Sequence, residues 1–136
     1  MELHVCKRRI ALIWIIGVLI LCTILFLQTL ANKHEGHINE VWGWILQCTL
    51  PILSLIIGVM TLNTFQADIN PIQVDKFTFN LATGLSLIYI LVIGLIILLQ
   101  PFTGKPLWQL SADSNLYLAP FQGIISGSVG LFFIKK

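Results

Sequence analysis

The stretch that decides the fold is residues 10–30, which read IALIWIIGVLILCTILFLQTL and contain no ionisable Asp, Glu, Lys, Arg or His. A helix needs about twenty apolar residues to cross roughly 30 Å of hydrocarbon, because each residue advances it by about 1.5 Å. A charged residue at its centre would cost about 2.5–3.5 kcal/mol. The stretch therefore predicts a transmembrane helix, and it is longer than the apolar core of about 7–15 residues typical of a cleaved signal peptide.

Three further segments are of similar length, are apolar and contain no Asp, Glu, Lys, Arg or His. Membrane-barrel strands are only about ten residues long and alternate in polarity, so we expect helices. Short loops favour antiparallel packing of consecutive helices. The predicted fold is all-α, an integral membrane four-helix bundle with antiparallel neighbours, forming one polytopic domain over residues 1–136. The predicted spans are about 10–30, 41–65, 79–100 and 116–134, joined by loops at 31–40, 66–78 and 101–115.

The composition points to the same environment. Of the 136 residues, 57% are hydrophobic and 10% are charged, against about a quarter charged in soluble domains. A soluble domain of this size could not bury so much apolar surface. The net charge of +2 is too small to indicate a nucleic-acid partner. The expected partner is the lipid bilayer.

The distribution of Lys and Arg predicts the orientation. Two of the eight cations, Lys33 and Lys105, lie in the first and last loops, and the other six lie at the opposite ends of the predicted spans. The positive-inside rule then places both termini and the 66–78 loop in the cytoplasm, in a multi-pass protein of the plasma (inner) membrane. The six cations are Lys7, Arg8, Arg9, Lys76, Lys135 and Lys136.

Small residues recur every three or four positions on the second and fourth predicted helices. They allow another helix to approach closely, and packing contacts drive helix association in lipid. Three interpretations stay open: packing between these two helices within one chain, contact between copies in a homo-oligomer, or a narrow pore lined by serine and glycine. The candidate residues are Ser54, Gly58, Thr61, Gly123, Ser126, Gly127 and Gly130.

Side-chain amides fall at two levels of the predicted bundle. They could form two hydrogen-bonded layers, with each bond contributing about 0.6–2 kcal/mol, or they could mark helix ends at the headgroups. An outer polar layer would make a vestibule above an apolar constriction that gates by dewetting. The outer amides are Gln28, Gln47, Gln100 and Gln122, and the inner ones are Asn63 and Asn80.

Two prolines are candidate hinges. Pro51 lies midway along the second predicted helix and frees the Gln47 carbonyl from its helical hydrogen bond, so we expect a kink that serves packing or gating. Pro120 would fit the first turn of the fourth helix, where its missing N–H costs nothing. The candidate caps of that helix are Ser111, Asp113 and Ser114.

The first outer loop contains His34-Glu35-Gly36-His37, which is one residue short of the His-Glu-x-x-His zinc motif. We expect a solvated loop; the alternative is a metal shared by His34, His37 and Glu40. No histidine lies within a predicted span to serve as a haem ligand. We therefore predict no metal and no cofactor.

The first and third predicted helices are nearly uniform in large apolar residues, so we expect them at the periphery, facing lipid. The second and fourth would then form the main contact surface.

The absence of Asp, Glu, Lys, Arg and His from the predicted spans argues against an intramembrane enzyme and against proton-coupled transport. We therefore predict a protein that is not an enzyme. Two functions remain. The first is a small oligomeric channel or pore-forming effector, such as the membrane-disrupting subunit of a bacterial defence or toxin-like system. The second is a membrane anchor or scaffold subunit that recruits a soluble cytoplasmic protein.

Overall fold

The computed structural model describes residues 3–64 and 75–134, and these ranges contain helices and no strand. The helices are α1 (Leu3–Leu30), α2 (Ile38–Thr64), α3 (Lys76–Thr103) and α4 (Leu107–Ile134). The predicted all-α four-helix fold is confirmed. The ranges His4–Leu30, Ile38–Thr61 and Lys76–Thr103 are each long and apolar enough to cross a membrane, as expected of a membrane protein. The span predicted within α4 stays a prediction.

Each helix has two principal neighbours, because α1 and α4 each pack against both α2 and α3. The order around the bundle is therefore α1, α2, α4, α3. The α1–α3 pair runs parallel: a Cβ at Gly17 would meet Ile90, and a Cβ at Gly94 would meet Leu21. A step of four residues on one helix thus matches a step of four on the other.

The α2–α4 pair is also parallel. Gln122 on α4 donates to the backbone of Gln47 on α2, and eight residues further along each helix Gly130 lies against Leu55. The two antiparallel hairpins, α1–α2 and α3–α4, therefore pack side by side through parallel pairs.

All four helices contribute to the core, which corrects the expectation that α1 and α3 are peripheral. Trp14 of α1 and Tyr89 of α3 are fully buried, with ring centroids 6.0 Å apart. Phe121 of α4 packs edge-on against Tyr89 at 5.7 Å. The fully buried large side chains are Ile10, Trp14, Leu25, Ile45, Ile52, Ile56, Tyr89, Ile93, Ile97, Leu107 and Phe133.

The fourth helix begins earlier than the apolar pattern indicates. Gly104 ends α3 with a left-handed φ of 67°, and α4 starts three residues later at Leu107. The Ser111 and Ser114 hydroxyls donate to carbonyls three residues earlier within the helix, and Asp113 lies past the first turn. None of the three caps the N-terminus, and Pro120 lies in the helix interior. These positions correct the predictions for the caps and for Pro120.

Candidate functional site

Pro51 lies inside the continuous helix α2, and side chains from two other helices donate hydrogen bonds to carbonyls of the preceding turn. Proline has no N–H, so the carbonyl four residues earlier, on Gln47, lacks its helical donor. Gln122 Nε2 of α4 donates to that oxygen at 3.0 Å. Tyr89 Oη of α3 donates to the next carbonyl, on Cys48, at 3.2 Å. The free carbonyl follows from the position of Pro51 in the sequence, whereas both donors are brought to it by the tertiary structure.

This arrangement ties α2, α3 and α4 together at one level of the bundle. The hydroxyl of Thr49 donates to the Ile45 carbonyl in the adjoining turn. A backbone carbonyl without a donor is costly in an apolar medium, so the two cross-helix bonds stabilise the proline-containing turn. The bonds favour packing over gating as the role of Pro51.

Replacing Gln122 by leucine is expected to lower the free energy of unfolding by about 1–2 kcal/mol, because it leaves the Gln47 carbonyl without a donor. In a Pro51→Leu background the helical N–H is restored, so the same replacement should cost far less. The measurement is SDS-induced unfolding in detergent micelles for the four members of this double-mutant cycle. Equal losses in both backgrounds would contradict the assignment, and Gln100→Leu, which affects only a loop contact, is the matched control.

The predicted stripe of small residues divides into two parts. Gly130 is buried against Leu55, and Ser126 is half-buried, so this side packs within the bundle. Gly123 and Gly127 are exposed, and a Cβ at either would meet nothing within 4 Å. One part of the stripe therefore packs within the chain, and the other is open.

The second helix presents a matching open stripe beside it. Gly58 has nothing within 4 Å of a Cβ, and Ser54 and Thr61 are exposed. Positions 47, 51, 54 and 58 follow the spacing that places residues on one helix face. We call the exposed residues along this seam the α2–α4 patch: Gln47, Pro51, Ser54, Gly58, Gly123 and Gly127.

The interior of the bundle does not provide a polar path in the described part of the chain. Large apolar side chains, including Trp14, Ile52 and Ile93, fill it. The hydroxyls of Thr49 and Ser86 donate to carbonyls of their own helices. The serine and glycine stripes therefore do not line a pore within a single copy.

The outer amides do not form one layer. Gln28 Oε1 lies 3.2 Å from His34 Nε2, and Gln100 Nε2 donates to the Lys105 carbonyl. Only Gln122 and Gln47 are joined, through a side chain and a backbone oxygen. At the inner level, Asn80 is exposed on α3, and the side chain of Asn63 lies outside the described residues.

Most residues of the 31–40 loop are exposed, as expected of a solvated loop, but His34 is buried. His34 is only 6% exposed; burial lowers its pKa, and the nearby charge of Lys33 lowers it further. His37 stacks on Trp108 of α4 at 4.4 Å and lies 3.1 Å from Glu40. Among the residues that the structure describes, no group of three possible ligands could hold a metal ion.

Lys7 has a role that sequence analysis missed. Its ammonium donates to the Phe133 carbonyl at 2.7 Å, and only 9% of the residue is exposed. A cation is favourable beside the carbonyl end of a helix. Lys7 therefore joins the start of α1 to the end of α4.

The fold and these features define a class: a small helical membrane protein with a filled core and an open patch of small residues along one seam. No family model, no curated protein and no solved structure matches this chain.

Proposed function

We propose that this protein is a homo-oligomeric, pore-forming membrane protein whose copies associate through the α2–α4 patch. The conducting path then lies between copies, because the interior of each copy is filled. The observation that supports the proposal is the patch itself. It exposes glycine, serine and an amide, whereas much of the remaining exposed helix surface is Leu, Ile and Phe.

An exposed patch of this composition is a poor surface against lipid. The Gln47 amide lies in an apolar segment, where a polar group without a partner costs free energy. Gly58, Gly123 and Gly127 have open space above them, so a helix of another copy can approach their backbones closely. Association would cover the glycines and place Gln47 and Ser54 beside polar groups or water.

The two stripes lie on different helices, so contact of an α2 stripe with the α4 stripe of the next copy is a head-to-tail interface. Such an interface closes into a ring when its rotation allows. Gln47, Ser54 and Thr61 would then lie near the ring's axis. In the predicted orientation, with four spans and both termini cytoplasmic, this ring would conduct across the plasma membrane and dissipate its potential. That is the activity of a membrane-disrupting effector.

The test measures association and conduction on the same purified full-length protein. We expect several copies per particle in light scattering, and loss of a potassium diffusion potential in liposomes. Gly127→Leu should reduce both at least about tenfold, equivalent to about 1.4 kcal/mol of association free energy. The matched control is Gly84→Leu on α3, where a Cβ also meets nothing within 4 Å.

A monomer that leaves the liposome potential unchanged would contradict the proposal, as would equal effects of the two leucine variants. A monomer that retains a soluble protein, and releases it when Asp75 and Lys76 are replaced, would support the anchor or scaffold function instead. The same purified protein therefore distinguishes the pore-forming function from the anchor or scaffold function.

A further inference from the structure

The parallel seam between α1 and α3 holds an open apolar cleft of about 240 Å³. Gly17 and Gly94 line the cleft, and each is in close contact with a side chain of the facing helix. Its walls include Ile20, Ile24 and Leu98. The α2–α4 patch lies on the other parallel pair, so the two surfaces are distinct.

Toward the N-terminal ends of α1 and α3, the seam beyond the cleft carries cationic and amide side chains. On α1, positions 9, 13, 16 and 20 share one helix face. Arg9 therefore lies on the same face as Ile20, closer to the N-terminus of the helix. On α3, positions 76, 80, 87 and 94 share one helix face. Lys76 and Asn80 therefore lie on the same face as Gly94, closer to the N-terminus of the helix. Arg9, Lys76 and Asn80 are exposed, and in the described ranges neither cation belongs to an ion pair. Among the residues that the structure describes, Asp75 is the acidic residue beside Lys76, and it is exposed too.

The axial distance from Arg9 to the cleft matches the distance from the phosphate of a phospholipid to its acyl chains. Arg9 lies eight residues before Gly17, about 12 Å along the helix axis. The wall from Gly17 to Ile24 extends for about another 10 Å. A phosphate at the level of Arg9 therefore has its acyl chains at the depth of the cleft, and the cleft is wholly apolar there.

We propose that the α1–α3 seam binds an anionic phospholipid of the surrounding bilayer. Arg9 and the Asn80 amide hold its phosphate, Lys76 adds positive charge about six residues further from the cleft, and one acyl chain lies in the cleft. The charges favour an anionic over a zwitterionic headgroup, since each Lys or Arg near an anionic membrane surface contributes about 1 kcal/mol, or about fivefold in binding. The cleft makes the site local, because a diffuse surface attraction would not depend on its shape.

The probe is phosphatidylglycerol compared with phosphatidylcholine of the same acyl chains, added at equal amounts to the detergent-purified full chain. Bound lipid is counted by native mass spectrometry. We expect preferential retention of phosphatidylglycerol, reduced about fivefold by Arg9→Gln and by Lys76→Gln. Arg8→Gln is the matched control: it removes the same charge at the same depth, but position 8 lies about 100° away from position 9 around α1.

Gly94→Phe tests the cleft without changing charge. A Cβ at Gly94 lies 3.5 Å from Leu21, an ordinary contact, and thermal melting in detergent checks that the variant folds. We expect Gly94→Phe to reduce retention of phosphatidylglycerol. Equal losses with Arg8→Gln and Arg9→Gln, equal retention of the two lipids, or a folded Gly94→Phe variant that retains lipid like the wild type would each overturn the proposal.

Discussion

Replacing Gly17 by leucine is expected to force α1 away from α3 and to lower the free energy of unfolding by about 2–3 kcal/mol. A Cβ at Gly17 would lie 2.8 Å from Ile90 Cδ1 and 3.1 Å from its Cγ2. Even alanine therefore requires Ile90 to move, and the remaining carbons of leucine enlarge the displacement. Overpacking of this kind costs about 1–3 kcal/mol, and leucine belongs at the upper end.

The measurement is SDS-induced unfolding in detergent micelles, followed by helical circular dichroism. Gly84→Leu on α3 is the control, because a Cβ there meets nothing within 4 Å. Ile90→Ala should recover part of the loss in the Gly17→Leu variant, since it removes the clashing methyl groups. An equal loss for the two leucine variants would show that the α1–α3 contact at Gly17 is not close.

Replacing Trp14 by alanine is expected to lower the free energy of unfolding by about 3 kcal/mol, the lower end of the cost of deleting a buried aromatic residue from a soluble core. Lipid solvates apolar side chains, so the loss comes mainly from dispersion contacts in the packed interior. Trp14 is fully buried beside Tyr89.

Trp14→Phe separates ring packing from hydrogen bonding at the same position. In the described part of the chain, Trp14 Nε1 has no hydrogen-bond partner. Phenylalanine therefore loses contact area but no hydrogen bond, and it should cost less than half as much as alanine. Similar losses for the two variants, in the same unfolding assay, would show that the indole N–H contributes and that the ring does not dominate.

The helical fold was predictable because hydropathy and the absence of charge are local properties of the chain. The start of α4 was not, because hydropathy reports where hydrocarbon contact ends and a helix can continue beyond that point. The stretch from Leu107 to Asn115 mixes apolar and polar residues, which is typical of a loop or of a helix end at the headgroups. The structure gives a helix there.

The packing order was not predictable, since a uniformly apolar helix in lipid has no polar face to indicate its orientation. Trp14 and Gly17 determine the packing of α1 through size and shape. The candidate site was predictable only in part for the same reason. Pro51 and the freed Gln47 carbonyl follow from covalent structure, whereas Gln122 and Tyr89 reach them only because α2 lies next to α4 and across from α3.

The hydrogen bond between Gln122 and Gln47 joins residues 75 positions apart, and this separation has a consequence for biosynthesis. The ribosome adds about 5–20 residues per second, so Gln122 is synthesised about 4–15 s after Gln47. The interval between the synthesis of Lys7 and that of Phe133 is longer still, because these residues are 126 positions apart. The first hairpin is therefore synthesised in full before the side chain that donates to its Gln47 carbonyl exists, and the contact between the two chain ends forms last.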